Sequence, residues 1–168
     1  YSRQLDVQAI GDACGLGTEG MTDEDMAWKY PNGIRHYSQI FQDRHRKRWE
    51  IGDWTDDTDM MLCIANAVIE DKGVDFYNIA RHFKEWANGE PMGIGENTYK
   101  VLMMGDYVER PFEVSHKVWE MSRYQSAANG GLMRTSVVGL FPKEVKTCAE
   151  NICRLTHYDP RCVGSCVV

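Results

Sequence analysis

The chain has 168 residues, 26% of them charged, with a formal net charge of −6 and 43% apolar residues. That acidic balance argues against a surface for nucleic acid or anionic membrane. No apolar run approaches the ~20 residues of a membrane helix and no secretory signal is visible, so a cytoplasmic protein with one domain over residues 1–168 is expected.

The apolar periodicity is helical throughout. Residues 4–14 begin it, with Leu5, Gln8, Ala9 and Asp12 in phase. Residues 18–50 read as irregular, with a turn at Pro31-Asn32-Gly33 and a basic run, Arg44-His45-Arg46-Lys47-Arg48, expected as a solvated loop. A long helix is predicted from Thr55 to Lys72, stopped by Gly73. Asp75 caps the next, whose face is Phe76, Ile79, Ala80, Phe83 and Trp86. Asn97 or Thr98 caps a third through Met104, and Pro111 opens a fourth with Val114, Val118, Trp119 and Met121 inward. Val145, Cys148, Ala149, Ile152 and Cys153 form the face of a fifth. Asp159 and Pro160 start the last, which runs to Val168 without cap or polar tail and so reads as incomplete at the C-terminus. No alternating pattern rivals these periods, and the fold class is all-α.

The six cysteines form no Cys-x-x-Cys pair and read as buried, reduced thiols. A zinc site from Cys148, Cys153, His157, Cys162 and Cys166 is the alternative, at spacings unlike a known knuckle.

The most informative stretch is Gly52-Asp53-Trp54-Thr55-Asp56-Asp57-Thr58-Asp59-Met60, four carboxylates and two hydroxyls at one helix start. One acceptor there serves as a cap, worth about 1 kcal/mol. Adjacent carboxylates repel by roughly 1 kcal/mol in water and about 4 kcal/mol near a protein surface. Asp57 shares a stripe with Met61, Ile64 and Val68, and Asp56 with Met60, Cys63 and Ala67, so both crown the buried side. Asp59 falls with Asn66 and Glu70 and is expected to be solvated. Hard oxygens so placed suit Mg²⁺, Mn²⁺ or Ca²⁺; an over-furnished N-cap is the plainer reading.

Thr55-Asp56-Asp57-Thr58-Asp59-Met60 resembles the Thr-Asp-Asp-Thr-x-Met signature of the ADP-ribosylglycohydrolases, a family that includes the dinitrogenase-reductase-activating enzymes. Ile10-Gly11-Asp12-Ala13-Cys14-Gly15 with Glu19 resembles the family's opening helix and downstream glutamate. Gly93-Ile94-Gly95-Glu96-Asn97-Thr98, Asn129-Gly130-Gly131-Leu132-Met133-Arg134 and Thr156-His157-Tyr158-Asp159-Pro160-Arg161 resemble three further elements, in the family's order.

The resemblance implies a compact orthogonal multi-helix bundle and metal-dependent removal of ADP-ribose from protein side chains or related conjugates, at an N- or O-glycosidic bond. It implies two Mg²⁺ ions in the complete site (Mn²⁺ being the substitute), one side held by Thr55, Asp56 and Asp57. The second element, Asp-x-Asp-Thr, is absent after Arg161, so it belongs to missing sequence or to a separate C-terminal fragment. Glu19 with Asp56 and Asp57 are the implied catalytic groups; Asn129, Gly130, Gly131 and Met133 are the implied substrate contacts. Asp12 is expected to make a structural hydrogen bond, and Arg134 to meet a diphosphate or a salt-bridge partner. Where the nitrogenase-reactivating branch has an aspartate before its Ile-Gly turn, this chain has Gly93, which puts arginine-linked substrates in doubt. The partner is then an ADP-ribosylated protein or an ADP-ribose-containing small molecule. The competing reading is a non-catalytic binding or structural module of the same fold.

Overall fold

The structure, a computed structural model, describes residues 2–141 and 143–168. Among the described residues there are helices, turns and loops but no strand, as the periodicity requires. The α-helices are α1 (Ser2–Gly15), α2 (Asp23–Lys29), α3 (Asp56–Asp71), α4 (Phe76–Asn88), α5 (Glu96–Leu102), α6 (Pro111–Met121), α7 (Val145–Arg154) and α8 (Pro160–Val167). A twelve-residue 3₁₀ segment, Asn129–Leu140, lies between α6 and α7.

Helix α3 is central, packing most extensively on α4 and on the 3₁₀ segment. Met60, Met61, Cys63, Ile64, Ala65 and Ala67 are buried on it, while Asn66 and Glu70 face solvent. Its C-terminus closes with Lys72 in the left-handed region (φ 55°), and the Gly73 amide donates to the Val68 carbonyl at 3.1 Å. The expected stop therefore comes one residue early, on a lysine. Asp75 caps α4 by accepting from the amides of Tyr77 and Asn78, and Asp159 caps α8 by accepting from that of Arg161. Pro111 and Pro160 open their helices as expected.

Three expectations are corrected. Helix α2 occupies part of the stretch read as irregular, held by a capping box between Thr22 and Asp25. Gly95, rather than Asn97 or Thr98, stands at the N-cap of α5. Met121 is 70% exposed instead of inward, because α6 ends there.

All six cysteines are unbridged, five of them buried. Among the described residues no three His, Cys, Asp or Glu side chains group to hold a metal, which removes the support for the zinc site. No described helix is long and apolar enough to cross a membrane.

Candidate functional site

The acidic N-terminus of α3 meets one face of α1. Residues 8, 11, 12 and 15 share that face by helical spacing. Gly11 and Gly15 leave it open; Gln8 and Asp12 give it polar groups. Asp12 Oδ2 accepts from the amides of Thr55 (2.9 Å) and Thr58 (3.1 Å) and from the Thr58 hydroxyl (2.7 Å). Its Oδ1 accepts from the Thr55 hydroxyl at 2.7 Å. The cap of α3 is therefore supplied from another helix, and Thr55, in the N-cap position, makes no side-chain cap of its own. Gln8 Nε2 donates to the carbonyls of Met133 (2.6 Å) and Asp57 (3.3 Å), tying α1 to the 3₁₀ segment and to α3.

With capping done by Asp12, the carboxylates of Asp56 and Asp57 are left over. Both are half-buried, and among the described residues neither forms an ion pair. Burial, followed by the charges of Asp12 and Asp56, pushes the Asp57 carboxyl up to about 6. Burial also raises Asp56, with the charges of Asp12 and Glu19 adding to it. The Thr55 hydroxyl reaches Asp57 Oδ2 at 3.3 Å. Two carboxylates and a hydroxyl at one helix tip, raised in pKa and without a counter-cation, fit one side of a site for a hard divalent ion. The set is two acids, and a complete site needs further oxygens.

Asp59 is not the solvated acid expected from its stripe. It accepts the indole N–H of Trp54 at 2.8 Å and that of Trp86 at 3.0 Å, bridging the loop before α3 to α4. The four acids of the stretch thus divide into two that tie loops and helices together (Asp53 accepts the Glu50 amide at 3.0 Å) and two, Asp56 and Asp57, that line the cavities.

A cavity of about 430 Å³ opens between α1 and α3, lined by Gln8, Asp12, Glu19, Thr55, Asp57, Asn129 and Met133 among others. A smaller one of about 60 Å³ adjoins it through Asn129 and Met133 and is lined by Asp56, Asn97, Thr98, Gly130 and His157. Of the residues expected at the site, Glu19, Thr55, Asp56, Asp57, Asn129, Gly130 and Met133 line this pair of cavities. Gly131 does not. It faces the interior, where a methyl on it would lie 2.6 Å from Cys153 Sγ. Gly130 likewise lies against the His157 ring, 2.6 Å from Cε1 by the same construction. Close packing thus accounts for both glycines.

Arg134 departs from both of its expected roles. It is fully buried, donating to the Ile152 carbonyl (3.0 Å) and the Thr156 hydroxyl (2.7 Å), and its guanidinium stacks 4.4 Å from the Phe83 ring centre. Burial lowers its pKa. His157 is buried as well, its Nδ1 2.8 Å from the Thr156 hydroxyl, and burial drives its pKa down to about 3, so the ring is neutral at pH 7.

The basic run is not merely solvated. Arg46 is buried and donates to the carbonyls of Leu16 (2.8 Å), Gly17 (3.1 Å) and Glu19, and it pairs with Asp43. His45 Nε2 lies 2.8 Å from Glu19 Oε2. Trp49 is buried against Gly93, where a methyl would stand 3.1 Å from its ring and 3.9 Å from Asp56 Oδ1. The position lacking the aspartate is thus walled by an indole. Sequence reasoning missed Gln8, His45, Arg46 and Trp49. Only Gln8 carried a local signal, standing four residues before Asp12 on the same helical face.

The family model described as ADP-ribosylglycohydrolase matches residues 7–168. The chain is 27% identical over 167 residues to an uncharacterized protein of Archaeoglobus fulgidus, covering 95% of this chain and 50% of that one. It is 25% identical over 172 positions to the ADP-ribosyl-dinitrogen reductase glycohydrolase of Rhodospirillum rubrum, covering 95% and 51%. Over 91 residues, 54% of this chain and 26% of the other, it is 34% identical to an Acanthamoeba polyphaga mimivirus protein provisionally named an ADP-ribosyl glycohydrolase. The chain spans about half the length of the two relatives it matches end to end.

Proposed function

The chain belongs to the ADP-ribosylglycohydrolase family, and from that premise we propose that it forms the α1/α3 half of a metal-dependent hydrolase that releases ADP-ribose from modified protein side chains or related conjugates. The observation that carries this reading is the pair of half-buried carboxylates without an ion-pair partner among the described residues, Asp57 on the 430 Å³ cavity and Asp56 on the 60 Å³ cavity that adjoins it. The reaction breaks the bond between C1″ of the ribose and the side-chain heteroatom. Water supplies the new C1″–O bond, and its proton ends on the leaving group. An oxocarbenium-like centre develops on the way, so anionic groups beside the sugar lower the barrier.

Thr55 Oγ1, Asp56 and Asp57 are the residues that would hold Mg²⁺ or Mn²⁺. When bound, such an ion orients the ribose hydroxyls and acidifies a water. Asp12 holds the Thr55 amide and hydroxyl and fixes the helix tip from behind. Glu19, on the opposite wall, is the group proposed to take or return the proton. Asn129 and Met133 border both cavities and would receive the ADP-ribosyl moiety.

The relatives matched end to end are about twice as long, and two acids make an incomplete metal set; these two observations favour a non-catalytic module for these residues alone. The full-length natural protein should therefore be assayed for ADP-ribose release from serine-linked and arginine-linked ADP-ribosyl peptides, with Mg²⁺ and with chelator. Magnesium-dependent release supports the hydrolase. Tight binding of ADP-ribose without turnover of either peptide supports the module.

A further inference from the structure

Glu19 sits in the turn that follows α1, with Gly17 and Gly20 on either side, and its side chain is 58% exposed. Left to itself, a glutamate on such backbone would sample many positions. The segment from Asp43 to Trp49 prevents this. Asp43 Oδ1 accepts from the amides of His45 (3.0 Å) and Arg46 (2.8 Å), closing a tight turn that sends the two side chains to the Glu19 loop. The buried guanidinium of Arg46 occupies the carbonyls of Leu16, Gly17 and Glu19, which fixes the backbone on both sides of residue 18. Trp49 anchors the far end against Gly93, with the His45 ring edge-on to it at 5.3 Å.

The direction of the His45 hydrogen bond follows from its other neighbour. Arg48 Nη2 lies 3.1 Å from His45 Nδ1, and a guanidinium can only donate. Nδ1 is therefore the acceptor, and the ring proton belongs on Nε2, where it points at Glu19 Oε2 2.8 Å away. The Arg48 guanidinium is itself held over the Trp49 ring, 4.7 Å from its centre. This is an ordered relay of donors, Arg48 to His45 to Glu19, mounted on a turn that Arg46 locks to the same loop.

We propose that His45 is a positioning residue for Glu19, holding its carboxylate at the mouth of the α1/α3 cavity with its tautomer set by Arg48. The proposal rests on the reading of Glu19 as the proton-handling group of a hydrolase. An oriented N–H donor on one Glu19 oxygen narrows the positions the carboxylate samples at the mouth of the cavity. Such restriction acts on the chemical step more than on substrate affinity.

Loss of the buried Arg46 would disturb folding, so the test belongs on His45 in the full-length natural protein. Nitrogen-15 NMR of His45 should show the proton on Nε2 with Nδ1 bare, shifting toward a mixture of tautomers in Arg48→Ala. His45→Ala should lower kcat about five- to tenfold, the range of a charge-assisted hydrogen bond near the surface, with KM within about twofold. His45→Gln, which returns an N–H near Nε2, should recover most of that loss. In a Glu19→Gln background His45→Ala should cost nothing further. The proposal is overturned by mixed tautomers in the unaltered protein, by a His45→Gln as slow as His45→Ala, or by losses that add in the double variant. If the unaltered protein releases no ADP-ribose, the hydrolase reading fails, and the NMR result alone decides whether the Arg48–His45–Glu19 relay exists.

Discussion

Asp12 Oδ2 accepts both the amide and the hydroxyl of Thr58, at 3.1 and 2.7 Å, across 46 residues of sequence. One carboxylate on α1 thereby does what a local N-cap does elsewhere, and α3 is spared from using Asp56 or Asp57 for the purpose. Asp12→Ala removes four hydrogen bonds at once and is expected to cost about 2–3 kcal/mol, the upper range for a cap. For a domain of this size that is a fall of about 5–10 °C in Tm, read by thermal unfolding. Asp12→Asn, which keeps one acceptor, should cost less. It should also let the Asp57 carboxyl fall toward its ordinary value, since a neighbouring negative charge has gone. An Asp12→Ala protein as stable as the parent would mean the trans cap contributes nothing.

The raised Asp57 carboxyl makes a signed prediction for pH. Its folded pKa of about 6 lies above the ordinary value of 3.8, so between those values the native state binds more protons than the unfolded state. Stability then declines as pH rises from about 4 to about 6 and levels off above. Because Asp57 is half-exposed, the decline attributable to it is discounted to the order of 1 kcal/mol. Denaturant midpoints across that window, in chelator, should show the slope in the parent and a flatter profile in Asp57→Asn. Mg²⁺ competes with the proton for the same oxygens, so its stabilising effect should grow with pH over the same window.

Asp56→Ala and Asp57→Ala should separate function from stability. In the full-length protein each is expected to reduce magnesium-dependent ADP-ribose release by at least about 100-fold, since even groups behind the ligands of a metal site change activity by 10–100-fold. In chelator neither should lower Tm, because the substitution relieves a like-charge contact worth roughly 1–4 kcal/mol before screening. Parallel losses of activity and stability would instead mark both residues as structural.

The fold was legible because its main signals are local. Asp75, Pro111 and the Asp159-Pro160 pair cap or open the helices expected of them, and α3 buries the stripes its sequence spells. The Thr22/Asp25 capping box of α2 was equally local but went unread among glycines and a proline. Half of the site was legible for a different reason: Asp56 and Asp57 announce themselves by having more charge than a helix start can use. The other half is invisible to any local rule. Nothing within a few residues of Asp59 points to Trp86, 27 positions on, and nothing near Arg46 points to three carbonyls about 30 residues back. A charge run looks solvated until tertiary structure supplies acceptors for one of its members.

Gly131 is the case where motif and structure give different physical reasons for one residue. As part of an Asn-Gly-Gly turn it is expected to let a ligand approach the backbone; in the structure it lets the 3₁₀ segment lie against α7 and α8. A methyl there would stand 2.6 Å from Cys153 Sγ and 3.4 Å from Cys166 Sγ, both in the buried core. The nearer thiol cannot swing away, since Cys153 is fully buried and its Sγ lies 3.4 Å from the His157 carbonyl. Gly131→Ala should therefore destabilise the protein by about 1–3 kcal/mol, the usual cost of overpacking. Shrinking the partner should relieve it: Cys153→Ala in the same chain is expected to recover part of the loss, a coupling that unfolding of the four members of the cycle would measure. Gly131→Ala with unchanged stability and weakened ADP-ribose binding would reverse the assignment and return this glycine to the ligand.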